Sequence, residues 1–402
     1  MNFKYDRSIT FPKGFKAAGV SAGIKENGLP DLGLVASDEG TIGVAVFTRN
    51  KFQAAPITLS GRNLASSGSK VRAIIANSGC ANALTGKVGM KNAEKTAIEA
   101  AKVLQIPRNE VLIASTGVIG RQLPVHEIVD SLPGLARELK TGSDTIFAQS
   151  IMTTDKFPKQ VAAEFTLAKG KKYRIGGVAK GAGMIHPNMA TMLCFVTTDA
   201  KVEEAKLRSA LSASVDRSFN TITVDGDTST NDSVFLLASG ASGVAVKSDS
   251  DYRLFLDALT SILRELAMMI VRDGEGATRF MKLNVRSASN FGDAVKVGRA
   301  VGVSPLVKTA IFGGDPNWGR VISAVGNSNV EFDPSKVELR IGNVCVFRGN
   351  EPQKVDPAAI KSLFSKKEIE MTIKLNTGRE SAEVFTCDLS YDYVKINGEY
   401  TT

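Results

Sequence analysis

Apolar positions along this chain keep two rhythms, and the change from one to the other predicts the elements. In the first half, short β-rich runs alternate with helical ones. Gly43–Thr48 and Val71–Ala76 read as strands. The second leads through the loop Asn77–Asn82 to an alanine-rich helix over Ala93–Leu104, apolar at helical spacing and closed by Pro107. Another such unit runs from the strand Val111–Ala114 into the loop Ser115–Gly120. Small residues at the end of an apolar strand let a ligand come close to the backbone, which makes this loop a candidate binding edge; an ordinary tight turn explains it equally well.

Past the centre, Cys194–Thr197 reads as a buried strand and Glu203–Ala213 as a helix. In the next helix Phe255, Leu259, Ile262, Leu263, Leu266, Met269 and Ile270 recur at three- and four-residue steps, leaving Arg264 and Glu265 to face water. That stripe is core rather than a cofactor box. The segment Asp273–Thr278 ends the helix, with glycines to supply positive-φ conformations, and can present Glu275 to a cleft. Beyond it, Val337–Ile341 and Glu370–Leu375 alternate with period two, which places a smaller α+β lobe at about residues 280–402.

Composition narrows the class. The chain has 402 residues, 43% hydrophobic and 23% charged, the balance of a globular protein of two or three lobes. No apolar stretch reaches the roughly 18 residues of a membrane span, and the first residues lack a secretory apolar segment, so a cytoplasmic enzyme is expected, without membrane partners. The net charge of +9 is spread along the chain with few aromatics among the basic residues, which argues against nucleic acid. Cys80, Cys194, Cys345 and Cys387 form no close pair, and the two histidines, His126 and His186, lie far apart, so no metal site is expected.

The most unusual stretch is Gly176–Leu193, with four glycines, a proline, Lys180, and Thr191 at the start of an apolar strand. The order of a phosphate-binding loop is absent. A threonine hydroxyl is a poor nucleophile near neutral pH, but a free amino terminus on the same residue can act as its base. Cutting the chain after Ala190 would supply that amine, while a plain strand residue is the simpler reading of Thr191.

The run Lys180–Leu193 resembles the self-cleavage and nucleophile motif of the glutamate N-acetyltransferases, also called ornithine acetyltransferases. The resemblance continues through Ala17–Val20, Asn77–Ala83, Ser115–Gly120, Met152–Asp155, Asp273–Thr278, Asp315–Arg320 and Ile396–Thr402, in the order of that family and over essentially the whole chain. It implies a four-layer α/β/β/α sandwich over residues 1–279 with a smaller C-terminal α+β lobe over 280–402. It also implies scission between 190 and 191 into an α chain, 1–190, and a β chain, 191–402, two such pairs forming a heterotetramer.

The resemblance further implies that Thr191 carries an acetyl group from N2-acetylornithine to glutamate in the cyclic arginine pathway. Thr116 and Gly117 would form the oxyanion hole, and Thr154, Lys180, Thr191, Glu275, Asn397 and Thr402 would contact substrate. Lys180 suits a carboxylate and Glu275 an ammonium; a solvated surface charge is the alternative for each. No bound cofactor is expected, and acetyl-CoA is left open as a second acetyl donor. His186 and Cys194, beside the nucleophile, read as structural. Two other readings stand beside this one, a self-processing aminopeptidase or amidase and a non-catalytic small-molecule binding protein.

Overall fold

The computed structural model describes residues 2–186 and 192–399. In chain order, its first half holds β1 (Phe15–Val20), β2 (Leu32–Ser37), β3 (Ile42–Phe47), α1 (Ala55–Ser67), β4 (Ala73–Asn77), α2 (Gly86–Leu104) and β5 (Val111–Ser115). There follow α3 (Val125–Arg137), α4 (Asp144–Ser150), β6 (Lys159–Thr166), β7 (Lys172–Lys180), β8 (Leu193–Thr198), α5 (Glu204–Asp216), β9 (Ser233–Ala238) and α6 (Asp249–Arg272). These strands make two sheets, ordered β1-β2-β4-β5 and β3-β9-β8-β7-β6.

Period-two alternation turns the two sheets into four layers. Ile74, Ala76, Leu112 and Ala114 share one core with Leu193, Phe195, Phe235 and Leu237 of the second sheet, so the two inner faces pack on each other. Phe195 stacks on Phe235 at 5.4 Å between ring centroids, and Phe147 meets it edge-on at 5.2 Å. The alternate residues face outward: Ala73, Ile75, Val111 and Ile113 pack with Ala93, Ala97 and Ala100 of α2 and Ile128, Leu132 and Leu135 of α3. On the far side Cys194, Val196, Val234 and Leu236 pack with Leu207 and Leu211 of α5 and the apolar stripe of α6. The result is the α/β/β/α sandwich that the resemblance implied.

A third core belongs to β10 (Phe280–Ala288), α7 (Phe291–Val303), α8 (Pro305–Gly313), α9 (Trp318–Gly326), β11 (Glu338–Ile341), β12 (Val344–Arg348), β13 (Glu351–Pro352), α10 (Pro357–Phe364), β14 (Glu368–Lys374) and β15 (Glu380–Cys387). Its strands form one sheet, β13-β12-β11-β14-β10-β15, and α11 (Tyr391–Glu399) follows it.

Helix boundaries differ from the sequence expectation where polar turns begin an element. The α6 helix starts six residues before its first apolar anchor, because Ser248 and Asp251 close a capping box around the first turn. Its end also differs. Asp273 terminates it with φ −95°, and of the two glycines that follow only Gly276 adopts a left-handed conformation, φ +67°. Arg264 does not simply face water: its guanidinium pairs with Glu383 and lies 5.3 Å from the Phe385 ring, fastening α6 to β15.

Candidate active site

The loops at one end of the two sheets converge on a cleft with α11 laid along it. The β4–α2 loop supplies Ala81; the segment after β5 supplies Thr116, Gly117 and Ile119; the turn after α4 supplies Thr153 and Thr154. The end of β7 and the residues beyond it contribute Lys180, Gly183 and Met184, the polar run before β9 Asp225, Asp227, Ser229 and Asn231, the loop after α6 Glu275, and α11 Tyr393 and Asn397. Thr116, Gly117, Thr154, Lys180, Glu275 and Asn397, singled out from sequence, therefore line one cavity. Ala190, Thr191 and Thr402 lie outside the described residues.

The Thr116–Gly117 turn is held from several sides. Thr116 donates its own amide to the Asn77 carbonyl at 3.0 Å, and both it and Gly117 line the cavity. Gly117 sits at φ +128°, and a Cβ there would lie 2.4 Å from the Gly79 carbonyl carbon, so no other residue fits without moving the backbone. Asn231 bridges the two loops, donating from its amide nitrogen to the carbonyls of Ala81 (2.6 Å) and Ser115 (2.9 Å). These contacts explain the Asn77–Ala83 motif as the frame of the next loop rather than as chemistry of its own.

Lys180 and Glu275 are 7% and 6% exposed, which removes the surface-charge alternative for both. The Lys180 ammonium donates to the hydroxyls of Thr153 (2.8 Å) and Thr116 (3.2 Å). Burial pulls its pKa below the usual lysine value and Lys159 adds to that, while Asp155, Glu275 and Asp232 oppose. A buried cation whose own pKa is pulled down by desolvation is further stabilised by an anion brought beside it. Glu275 accepts from Asn397 at 2.9 Å, and its own amide donates to the Ala182 carbonyl at 2.9 Å. Gly183 makes room for it, since a Cβ there would meet the Glu275 carboxylate at 2.3 Å.

α11 reaches the cleft because of Gly276. A Cβ at that position would lie 2.4 Å from the backbone nitrogen of Tyr393. The Ser390 hydroxyl donates to the Gly276 carbonyl at 2.6 Å and ties the start of the helix down.

The polar run Asp225–Asp232 was not singled out from sequence. Asp225 accepts the amides of Met184 (2.6 Å) and Ile185 (2.8 Å), holding the chain just ahead of the Ala190–Thr191 bond. Burial raises the pKa of Asp225, and burial together with Asp225 and Glu275 raises that of Tyr393. On the other side of that bond, Asp232 accepts the Met192 amide at 2.8 Å. Burial drives Asp232 well above the ordinary carboxylate range despite that bond and the Lys180 charge. The signal available was the run of polar residues between Thr223 and the apolar strand β9. His186, between Thr223 (3.1 Å) and Arg299, is pulled down to about 4, chiefly by burial, and Cys194 is wholly buried in β8.

Comparison with known proteins gives one consistent result. Residues 16–402 match the ArgJ family. The arginine biosynthesis bifunctional protein ArgJ of Symbiobacterium thermophilum is 47% identical over 98% of this chain and 98% of its own length. The glutamate N-acetyltransferase of Methanocaldococcus jannaschii is 45% identical over 99% of each. Among solved structures, that of the arginine biosynthesis bifunctional protein argJ from Bacillus halodurans is 39% identical with a TM-score of 0.50, covering 51% of this chain and 98% of the solved one.

Proposed function

The chain belongs to the ArgJ family, and from that membership we propose that it moves acetyl groups through a covalent intermediate on Thr191. It is an enzyme of arginine biosynthesis, a glutamate N-acetyltransferase. The observation that carries the reading is the convergence, in one buried cleft, of Thr116, Gly117, Thr154, Lys180, Glu275 and Asn397.

In the proposed maturation the Thr191 hydroxyl attacks the Ala190 carbonyl and the C–N bond between the two residues breaks. Water then hydrolyses the resulting ester and leaves Thr191 with a free amine. Support comes from the solved Bacillus halodurans chain, which is matched almost entirely by 51% of this one and is thus about half as long, as a product of scission would be. In the first transfer the Thr191 oxygen, giving its proton to that amine, attacks the acetyl carbonyl of N2-acetylornithine. The C–N bond breaks and ornithine leaves with the proton. Glutamate's amine then attacks the acetyl ester, the C–O bond breaks, and Thr191 regains its proton.

Both tetrahedral states place negative charge where the Thr116 hydroxyl and the Gly117 backbone can meet it, and one such donor contributes about 3 kcal/mol. Lys180 would bind the amino-acid carboxylate, with Thr154 beside it, and Glu275, held by Asn397, the ammonium; Thr402 would complete the pocket. The chemistry calls for no bound cofactor. The printed name of the Symbiobacterium relative, a bifunctional protein, supports a second activity, for which acetyl-CoA is the donor to test. The proposed assembly is a heterotetramer of two α/β pairs, and the proposed location is the cytoplasm.

Incubation with N2-acetylornithine and labelled glutamate should give labelled N-acetylglutamate with ping-pong kinetics, and acetyl-CoA in place of N2-acetylornithine tests the second donor. Release of acetate alone would turn the reading to an amidase. Denaturing mass analysis should find a fragment beginning at Thr191, and Thr191→Ala should yield an intact, inactive chain; an active uncut wild-type polypeptide would overturn the scheme.

A further inference from the structure

Behind the cleft lies a fully buried ion cluster that the transfer chemistry does not use. Lys159, the first residue of β6, is 0% exposed, and its ammonium sits 2.6 Å from Asp155 and 2.5 Å from Asp273. The two carboxylates lead to two segments that line the pocket. Asp155 accepts the amides of Gly181 (2.7 Å) and Thr153 (3.0 Å), and the Thr153 hydroxyl is the 2.8 Å partner of Lys180. Asp273 accepts the Lys156 amide at 3.0 Å and stands two residues before Glu275. One ammonium thus ties the segment that carries Lys180 to the loop that carries Glu275 from behind, beside the direct bond from the Glu275 amide to the Ala182 carbonyl.

We propose that Lys159 is a positioning residue for substrate recognition, setting the separation between the Lys180 cation and the Glu275 carboxylate and with it the side-chain length of the amino acid the cleft accepts. The inference rests on the transfer reading above. An isolated buried charge is costly, and a buried cation between two carboxylates persists only with near-ideal geometry, so the cluster tolerates little sliding of one wall against the other. Although burial works against ionisation of Asp155, Lys159 and Lys180 hold its pKa well below the usual carboxylate value, so the tether on that side stays charged. A ligand bridging Lys180 and Glu275 with its carboxylate and ammonium senses that separation directly. One methylene too many or too few costs it one of its two charge-assisted contacts.

Removing Lys159 alone would strand two buried carboxylates, so the test is the double variant Lys159→Met with Asp273→Asn, which keeps side-chain volume and leaves Asp155 facing Lys180. Circular dichroism and a thermal melt check that it folds. If it does not, Asp273→Ala alone, which cuts the link to the Glu275 loop and keeps the Lys159–Asp155 pair, is read the same way. The expected result is an affinity for ornithine, by calorimetry, lower by about 10- to 100-fold, the loss of one charge-assisted contact. KM for N2-acetylornithine should rise in parallel with kcat within about threefold, a change of one contact's strength falling on binding alone, and the preference for N2-acetylornithine over N2-acetyllysine should collapse. A folded variant that binds ornithine and discriminates as the wild type does overturns the proposal, even if its melting temperature has dropped. A wild type that neither binds ornithine nor makes N-acetylglutamate defeats the functional reading instead.

Discussion

Replacing Gly276 by alanine should separate substrate binding from everything else the chain does. The glycine has φ +67°, and an added Cβ would stand 2.4 Å from the Tyr393 nitrogen and 2.8 Å from the Ser390 hydroxyl oxygen, where ordinary contact begins near 3.4 Å. Backbone cannot swing aside as a side-chain tip can, so α11 must retreat by about 1 Å or the loop must leave its left-handed conformation, which itself costs alanine about 1–2 kcal/mol. Either movement lengthens the 2.9 Å bond from Asn397 to Glu275. A hydrogen bond to a charged group contributes about 1.5–3 kcal/mol, so the KM for N2-acetylornithine should rise roughly 10- to 100-fold. Scission should continue, because the Met184, Ile185 and Met192 amides that Asp225 and Asp232 hold on either side of the bond belong to neither α11 nor the Gly276 loop, although the Tyr393 side chain bonds Asp225. Steady-state kinetics measures the first effect and intact-mass analysis the second. A KM within threefold of wild type would show that α11 does not shape the pocket, and an uncut Gly276→Ala chain would show that the damage spreads further than this geometry allows.

Three further outcomes are expected. Gly117→Ala places a Cβ 2.4 Å from the Gly79 carbonyl carbon, displacing the oxyanion turn, and should lower kcat by about 10²- to 10³-fold, the effect of one lost donor; ornithine affinity should stay within about threefold, since the change falls on a contact made in the transition state. His186, pulled down to about 4 in the native protein, is neutral there while the unfolded chain takes a proton as pH falls through about 6.5. That contribution to stability is therefore complete above pH ~6.5 and is lost as pH drops to about 4, so His186→Gln should flatten the decline of Tm across this window; an unchanged slope would count against the assignment. Replacing Thr402 by alanine should raise the KM for N2-acetylornithine, as the loss of a proposed substrate contact, and unchanged kinetics would remove Thr402 from the substrate contacts.

Much of the sandwich was readable because its central strands are short apolar runs, buried at every position, and its longest helix carries an apolar stripe at three- and four-residue steps. Phe195 and Val196 go to different cores for no reason beyond their order in β8. Periodicity was silent where an element begins with polar residues, as α6 does with its capped first turn. It also could not say that the strands make two stacked sheets, which depends on pairings such as β8 beside β9 across 40 residues of sequence, Leu193 opposite Ser233. That layering came from the resemblance.

The site divides along the same line. Residues in short, glycine-marked motifs, Thr116 and Gly117 or Glu275, were singled out through the resemblance, since their loops taken alone read equally well as ordinary turns. Asp155, Lys159 and Asp225 were not, because a buried charge and a solvated one look alike in sequence until their partners are known. The partner of Lys159 lies 114 residues away in Asp273, and only folding brings them within 2.5 Å. The same distance gives the cluster its effect. Contacts between neighbours in sequence brace one loop, whereas a cation that ties the turn before β6 to the end of α6 fixes two walls of a cavity relative to each other. Asp155 and Asp273 each end or begin a local motif, but Lys159 stands outside both, because the quantity it controls is a separation between segments.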